Sequence, residues 1–250
     1  MKANLKDLLV IISLSMSAFA AEKPNIVFIL CDDLGYGDLG VTGHPYVKSP
    51  NIDKLANDGL RIENGYMSAA WCAPSRSALM GGLYPARYFN QTHELAVERP
   101  SLTKILNDAG YATAHYGKWH LGGREKTAPT PDMYGIDEAF IANGNGPTWS
   151  VEQRKAPHWR EKTTPHYVNL AIDFMKRNQD KPFFINLWVY QTHSYINPTE
   201  EQLAVYKDLK VDIDDFENPL HREFLNYVAK NGDVKQAMRA YCADVTALDN

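Results

Sequence analysis

The sequence predicts an α/β fold on a mainly parallel sheet flanked by helices, and three observations carry that prediction. Continuous apolar runs of strand length lie at Asn25 to Cys31 (NIVFILC) and Phe183 to Tyr190 (FFINLWVY); such runs suit strands buried on both faces of a parallel sheet. Segments of helical spacing separate them, so strand and helix alternate. Each run stops abruptly at polar residues, Asp32-Asp33 in the first case and Gln191-Thr192-His193 in the second. With 250 residues, 44% of them hydrophobic, the chain can bury a substantial core and reads as one large domain.

At the start, Lys2 and Lys6 precede an apolar run from Leu8 to Met16, followed by Ala18-Phe19-Ala20. This is the pattern of a signal peptide over residues 1–20, cleaved after Ala20, and it predicts a secreted or periplasmic domain over 21–250. The run falls short of the roughly 20 residues that cross a bilayer, so no membrane anchor is expected. Export predicts an oxidising compartment, yet Cys31, Cys72 and Cys242 are odd in number and argue against a disulfide framework. Asn90-Gln91-Thr92 fits the glycosylation acceptor pattern.

The first strand, Asn25 to Cys31, leads to a helix from about Asn51 to Asn57, with Ser49 and Pro50 as start residues and Gly59 past its end. A second helix reads from Ser101 to Ala109, closed by Gly110, and precedes a short strand from Tyr111 to Tyr116 and then Gly117-Lys118-Trp119-His120. Residues 143 to 165, rich in Gly, Pro, Asn and Thr, read as a long surface excursion, and a helix follows from about His166 to Arg177. The stretch from Asp233 to Leu248 has helical spacing and ends without a closing residue.

Ligands of open α/β sheets bind at the carboxyl ends of the strands, so Asp32, Asp33, Lys118, His120 and His193 are expected on one rim. Continued extended backbone would put Lys118 and His120 on the same face. The formal charge of -4 and the lack of a Lys/Arg stripe favour neither nucleic acid nor an anionic membrane as partner.

The segment from Trp71 to Arg87 reads WCAPSRSALMGGLYPAR. Cys72 to Arg76 opens a predicted helix, with Pro74 and Ser75 in the first turn, where backbone N–H groups lack internal partners. A reactive group there meets the positive end of a helix dipole, and Arg76 adds a permanent cation one turn on.

This segment resembles the sulfatase signature, in which Cys-x-Pro-Ser-Arg is converted to formylglycine by a dedicated enzyme. The resemblance extends to Asp32-Asp33, to Ser49-Pro50-Asn51-Ile52-Asp53-Lys54-Leu55, to Gly117-Lys118-Trp119-His120-Leu121-Gly122 and to Tyr134-Gly135-Ile136-Asp137, in family order. It implies an alkaline-phosphatase-like fold, a mixed, mainly parallel sheet with helices on both faces, here truncated at the C-terminus. It further implies hydrolysis of sulfate esters on a carbohydrate or aryl compound, a divalent cation such as Ca2+ held in part by Asp32, Asp33 and position 72, and a formylglycine-generating enzyme as partner.

Carried over, formylglycine at Cys72 is the nucleophile and Arg76 steadies it. Lys118 contacts sulfate, His120 accepts a proton, and His193 protonates the departing alcohol. Asp249 matches a helix acid of the family and is not assigned to the metal, while the family's later Asp-Asn-Gly metal segment is not found. The other histidines (His44, His93, His115, His158, His166 and His221) are read as structural or surface residues. The competing readings are a phosphonate or phosphate monoester hydrolase of the same superfamily and an inactive fragment acting as a binding module.

Overall fold

The computed structural model describes residues 23–87, 95–122 and 128–250; the predicted signal peptide and Asn90 lie outside them. In chain order these residues form β1 (Ile26–Cys31), α1 (Pro50–Asp58), α2 (Cys72–Gly81), α3 (Leu102–Asp108), β2 (Ala112–Lys118), β3 (Glu138–Ala142), α4 (Val151–Lys155), α5 (Trp159–Arg177), β4 (Phe183–Val189), α6 (Glu200–Ala204), α7 (Pro219–Asn231) and α8 (Val234–Asp249). The strands make one sheet, in the order β1-β4-β2-β3, with every neighbouring pair parallel.

The period of two along each strand sends alternate side chains to opposite faces. Ala112, Ala114, Tyr116, Ile185, Leu187 and Val189 pack with Tyr167, Ala171 and Phe174 of α5. On the other face, Trp119, Ile141 and Trp188 pack with Met80 of α2, and Leu102 of α3 joins them. Helices therefore cover both faces, as the family resemblance implies. A third cluster joins Phe216, Leu225, Met238 and Val245 around α7 and α8. No helix among the described residues is long and apolar enough to cross a membrane.

Four expectations need correction. The first concerns β1, which is not buried on both faces: Val27 and Ile29 are 42% and 52% exposed, because β1 pairs only with β4 while α5 packs on β2 and β4. Second, the strand expected to end at Tyr116 runs on to Lys118. Its Gly117, at φ +116, lies so close to β4 that an added Cβ would come 1.9 Å from the Trp188 carbonyl oxygen, an approach only glycine permits.

Third, the helix expected from His166 starts at Trp159 and carries Pro165 inside it, so the supposed excursion over 143–165 contains α4 and the first turns of α5. Proline forbids one backbone bond there, but Glu161, Thr163 and Thr164 are buried and Thr163 Oγ1 donates to the Arg160 carbonyl at 2.6 Å. Tertiary packing outweighs the local penalty. Fourth, the extended backbone does not continue through His120, whose φ is +59, so Lys118 and His120 do not share a face.

The start of α1 falls where Ser49 and Pro50 predict, by a different device. Ser49 Oγ accepts from the Gly40 amide and donates to Asp53. The free amides of Asn51 and Ile52 donate to Asp249 at 3.0 and 2.7 Å. Asp249, at the end of α8, thus uses both carboxylate oxygens to cap a distant helix.

Candidate active site

Parallel pairing brings the carboxyl ends of the strands to one rim. The Asp32 amide donates to the Gln191 carbonyl at 3.0 Å and the Thr192 amide donates to the Asp32 carbonyl at 2.7 Å, which prolongs the β1–β4 pairing. Beyond Lys118, the amides of Trp119 and His120 donate to the carbonyls of Ala142 and Asn143, which ties the end of β2 to the end of β3.

The helix α2 points its first residue, Cys72, at this rim. Trp71 is extended and supplies no side-chain cap, so the first turn presents amides and a partial positive charge toward the cleft. Ser75 Oγ donates to the Ala69 carbonyl at 2.7 Å, fixing the chain that enters the helix. Cys72 Sγ lies 3.4 Å from His120 Nδ1.

Behind Cys72 is a buried charge cluster. Arg76 donates from Nη2 to Asp32 Oδ1 at 3.1 Å and from Nη1 to the Lys118 carbonyl at 2.7 Å. Its guanidinium lies 4.9 Å from the centre of the Trp188 ring. Lys118 Nζ donates to Asp32 Oδ2, and the Arg76, Lys118 and Asp32 side chains are 2–3% exposed. One buried carboxylate thus faces two buried cations.

Asp33 behaves differently from its neighbour. Its side chain is 61% exposed and Oδ2 lies 3.8 Å from His193 Nε2. Asp32, Asp33, Cys72 and Arg76 line one cleft of about 260 Å3 with Met67 and Trp71. His120 joins this group through Cys72, Lys118 through Asp32 and His193 through Asp33, so the five residues expected on the rim form one connected set with Cys72 and Arg76.

Two carboxylates provide hard oxygen donors of the kind calcium takes. They fall short of the six to eight oxygens such an ion collects, and no cluster of three or more His, Cys, Asp or Glu side chains converges among the described residues. The donors present fit part of a hard-cation site.

The remaining cysteines are unsuited to ionic chemistry. Burial, then Asp32, pushes the Cys31 thiol up to about 11, and burial, then Asp38, pushes Cys242 to about 12; neither forms a disulfide. His115, sandwiched between Trp119 and Trp188, is pushed down to about 3 by burial and then by Arg76. It stays neutral and adds no third cation behind the site.

Sequence reasoning missed the support beneath the rim. Gln191 Nε2 donates to Asp244 Oδ1 of α8 at 3.1 Å, and Thr164 Oγ1 donates to Gln191 Oε1. The apolar run before Gln191 marked a strand end, but its partners are 27 and 53 residues away. Burial, offset by Gln191 and reinforced by Glu161, raises the Asp244 carboxyl to about 6. An acid raised above its unfolded value of about 3.9 stabilises the fold most below about pH 4, and that contribution is lost as pH rises through about 6. Asp244→Asn is expected to remove this slope, roughly 2–3 kcal/mol, from urea unfolding free energies measured between pH 4 and 7.

The comparisons with known proteins agree with this geometry. The sulfatase family profile matches residues 24–250. The N-acetylgalactosamine-6-sulfatase of Homo sapiens is 32% identical over 239 residues, covering 78% of this chain and 45% of that protein. Arylsulfatase A of Homo sapiens is 31% identical over 224 residues, with 73% and 44% covered. The crystal structure of Ps i-CgsB superposes with a TM-score of 0.70 at 25% identity over 91% of this chain and 53% of that one. The chain spans about half the length of the curated relatives it matches. With the profile matched across all but its first residues, and the parallel sheet and rim in place, the chain belongs to the sulfatase family.

Proposed function

We propose that the whole protein hydrolyses sulfate esters of a carbohydrate or aryl compound, with formylglycine made from Cys72 as nucleophile. The observation that carries this reading is the seat of Cys72: first residue of α2, 3.4 Å from His120 and on the wall of the cleft that Asp32, Asp33 and Arg76 also line. A hydrated aldehyde there offers two hydroxyls on one carbon, one to attack sulfur as the alcohol leaves and one whose deprotonation breaks the bond to the transferred sulfate, expelling it and restoring the aldehyde.

The side chains around it suit the remaining tasks. The imidazole of His120, whose ordinary pKa lies near neutrality, is within reach of position 72 and accepts the proton. Arg76 and Lys118 are fixed cations in a water-poor setting, where charge on the sulfate oxygens is stabilised far more than in water. The amides at the start of α2 face the same anion. His193, on the opposite side of the rim beside Asp33, holds a proton for the leaving alcohol. Asp32 and Asp33 would hold part of a hard divalent cation such as Ca2+. Bound there, it would neutralise charge on the ester oxygens.

The reading requires a maturation enzyme to act on the segment around Cys72. Mass spectrometry of the tryptic peptide spanning residues 62–76, from protein made in its own host, should find an aldehyde at position 72 in place of the thiol. A fully thiol peptide from a preparation that cleaves sulfate esters at full rate would overturn the mechanism. The exported location rests on residues 1–20, and N-terminal sequencing of the mature protein tests it.

A further inference from the structure

The loop that carries His193 is held from one side by the first turns of α5, residues that local sequence marked as surface. Arg160 Nη1 donates to the carbonyls of His193, at 3.4 Å, and of Ser194. Its guanidinium lies 5.4 Å from the centre of the Tyr190 ring. Glu161, a buried acid, accepts from the Asn197 amide at 2.8 Å, and His158 Nδ1 lies 2.7 Å from the Asn197 carbonyl. Thr164 donates to Gln191. Four residues within two helical turns thus grip the chain on both sides of His193.

The contacts also fix the imidazole. His193 Nδ1 lies 2.6 Å from the Ser194 carbonyl oxygen, a distance that requires Nδ1–H as donor, and Arg160 Nη1 lies 3.3 Å from the same nitrogen. Both N–H groups therefore share one acceptor, and a protonated Arg160 cannot accept from the ring. Nε2 is left to face Asp33, which lines the cleft.

From this we infer that Arg160 is a positioning residue for the proposed reaction: by holding the Ser194 carbonyl and stacking over Tyr190, it aims His193 Nε2 at the departing alcohol oxygen. The inference rests on the role proposed for His193. It assigns no contact with substrate to Arg160. A poorly placed acid matters most where the leaving group is a poor one, because a good leaving group departs without a proton.

The test compares 4-nitrophenyl sulfate with an alkyl sulfate in the whole protein. His193→Ala should lower kcat/KM for the alkyl sulfate about 100-fold or more and that for 4-nitrophenyl sulfate much less. Arg160→Met should reproduce the pattern at about a tenfold loss, and the double variant should be no worse than His193→Ala alone. Arg160→Lys, which keeps a cation able to donate to the Ser194 carbonyl, should fall between wild type and Arg160→Met; it serves also if Arg160→Met does not fold.

If Arg160→Met and Arg160→Lys lower both substrates equally, or neither, while His193→Ala discriminates between them, this inference is overturned and the role of His193 stands. If His193→Ala lowers both substrates equally, the role proposed for His193 falls, and this inference falls with it.

Discussion

Cys72→Ala should lower sulfate-ester cleavage by about six orders of magnitude, the scale on which loss of a covalent nucleophile acts. Cys31 and the two cations are poor substitutes: burial holds the Cys31 thiol up at about 11, and Arg76 and Lys118 already pair with Asp32. The effect is separable from folding. Cys72 is half-buried at the first position of α2, where alanine is well tolerated, so the urea midpoint should move little. Turnover of 4-nitrophenyl sulfate and urea unfolding of the same preparation check both halves. A residual rate within about tenfold of wild type would mean that the attacking group lies elsewhere.

The second large effect falls on stability. Asp32→Asn leaves Arg76 and Lys118, both about 2% exposed, without a counter-charge. Breaking a buried ion cluster by removing one member costs about 3–5 kcal/mol, a large fraction of the total stability of a domain. Asp33→Asn, on a side chain 61% exposed, should stay within about 0.5 kcal/mol. Two adjacent carboxylates that look equivalent in sequence are thus expected to differ in stability effect by several-fold. Urea unfolding of the two variants side by side decides this, and a loss under about 1 kcal/mol for Asp32→Asn would show that the cluster does not hold the rim together.

The site was legible where chemistry is local. Cys72, Pro74, Ser75 and Arg76 lie within one and a half turns of helix, so the residues at its start could be read together. The positions of Asp32 and His193 followed from apolar runs ending in polar residues, because strand ends at the same side of a parallel sheet must meet. Local pattern also placed His120 on the rim but failed for the face it takes. Its positive φ sends the ring to Cys72 while the preceding strand residue, Lys118, turns to Asp32, and no local pattern announces that turn. It failed also for α5, where proline and polar residues read as a loop although burial of Glu161, Thr163 and Thr164 secures a helix.

By itself the sequence determined the alternation of strand and helix and the rim on which the polar residues gather, since hydrophobic periodicity and helix-ending residues act over a few positions. The tertiary structure alone decided which residues those polar groups would meet: Asp32 with Arg76 and Lys118, Asp249 with the start of α1, Arg160 with the loop of His193. These partners are 33 to 198 residues apart along the chain. A buried charge takes whatever counter-group the packed sheet brings within about 3 Å, and that choice is made only when the chain is folded.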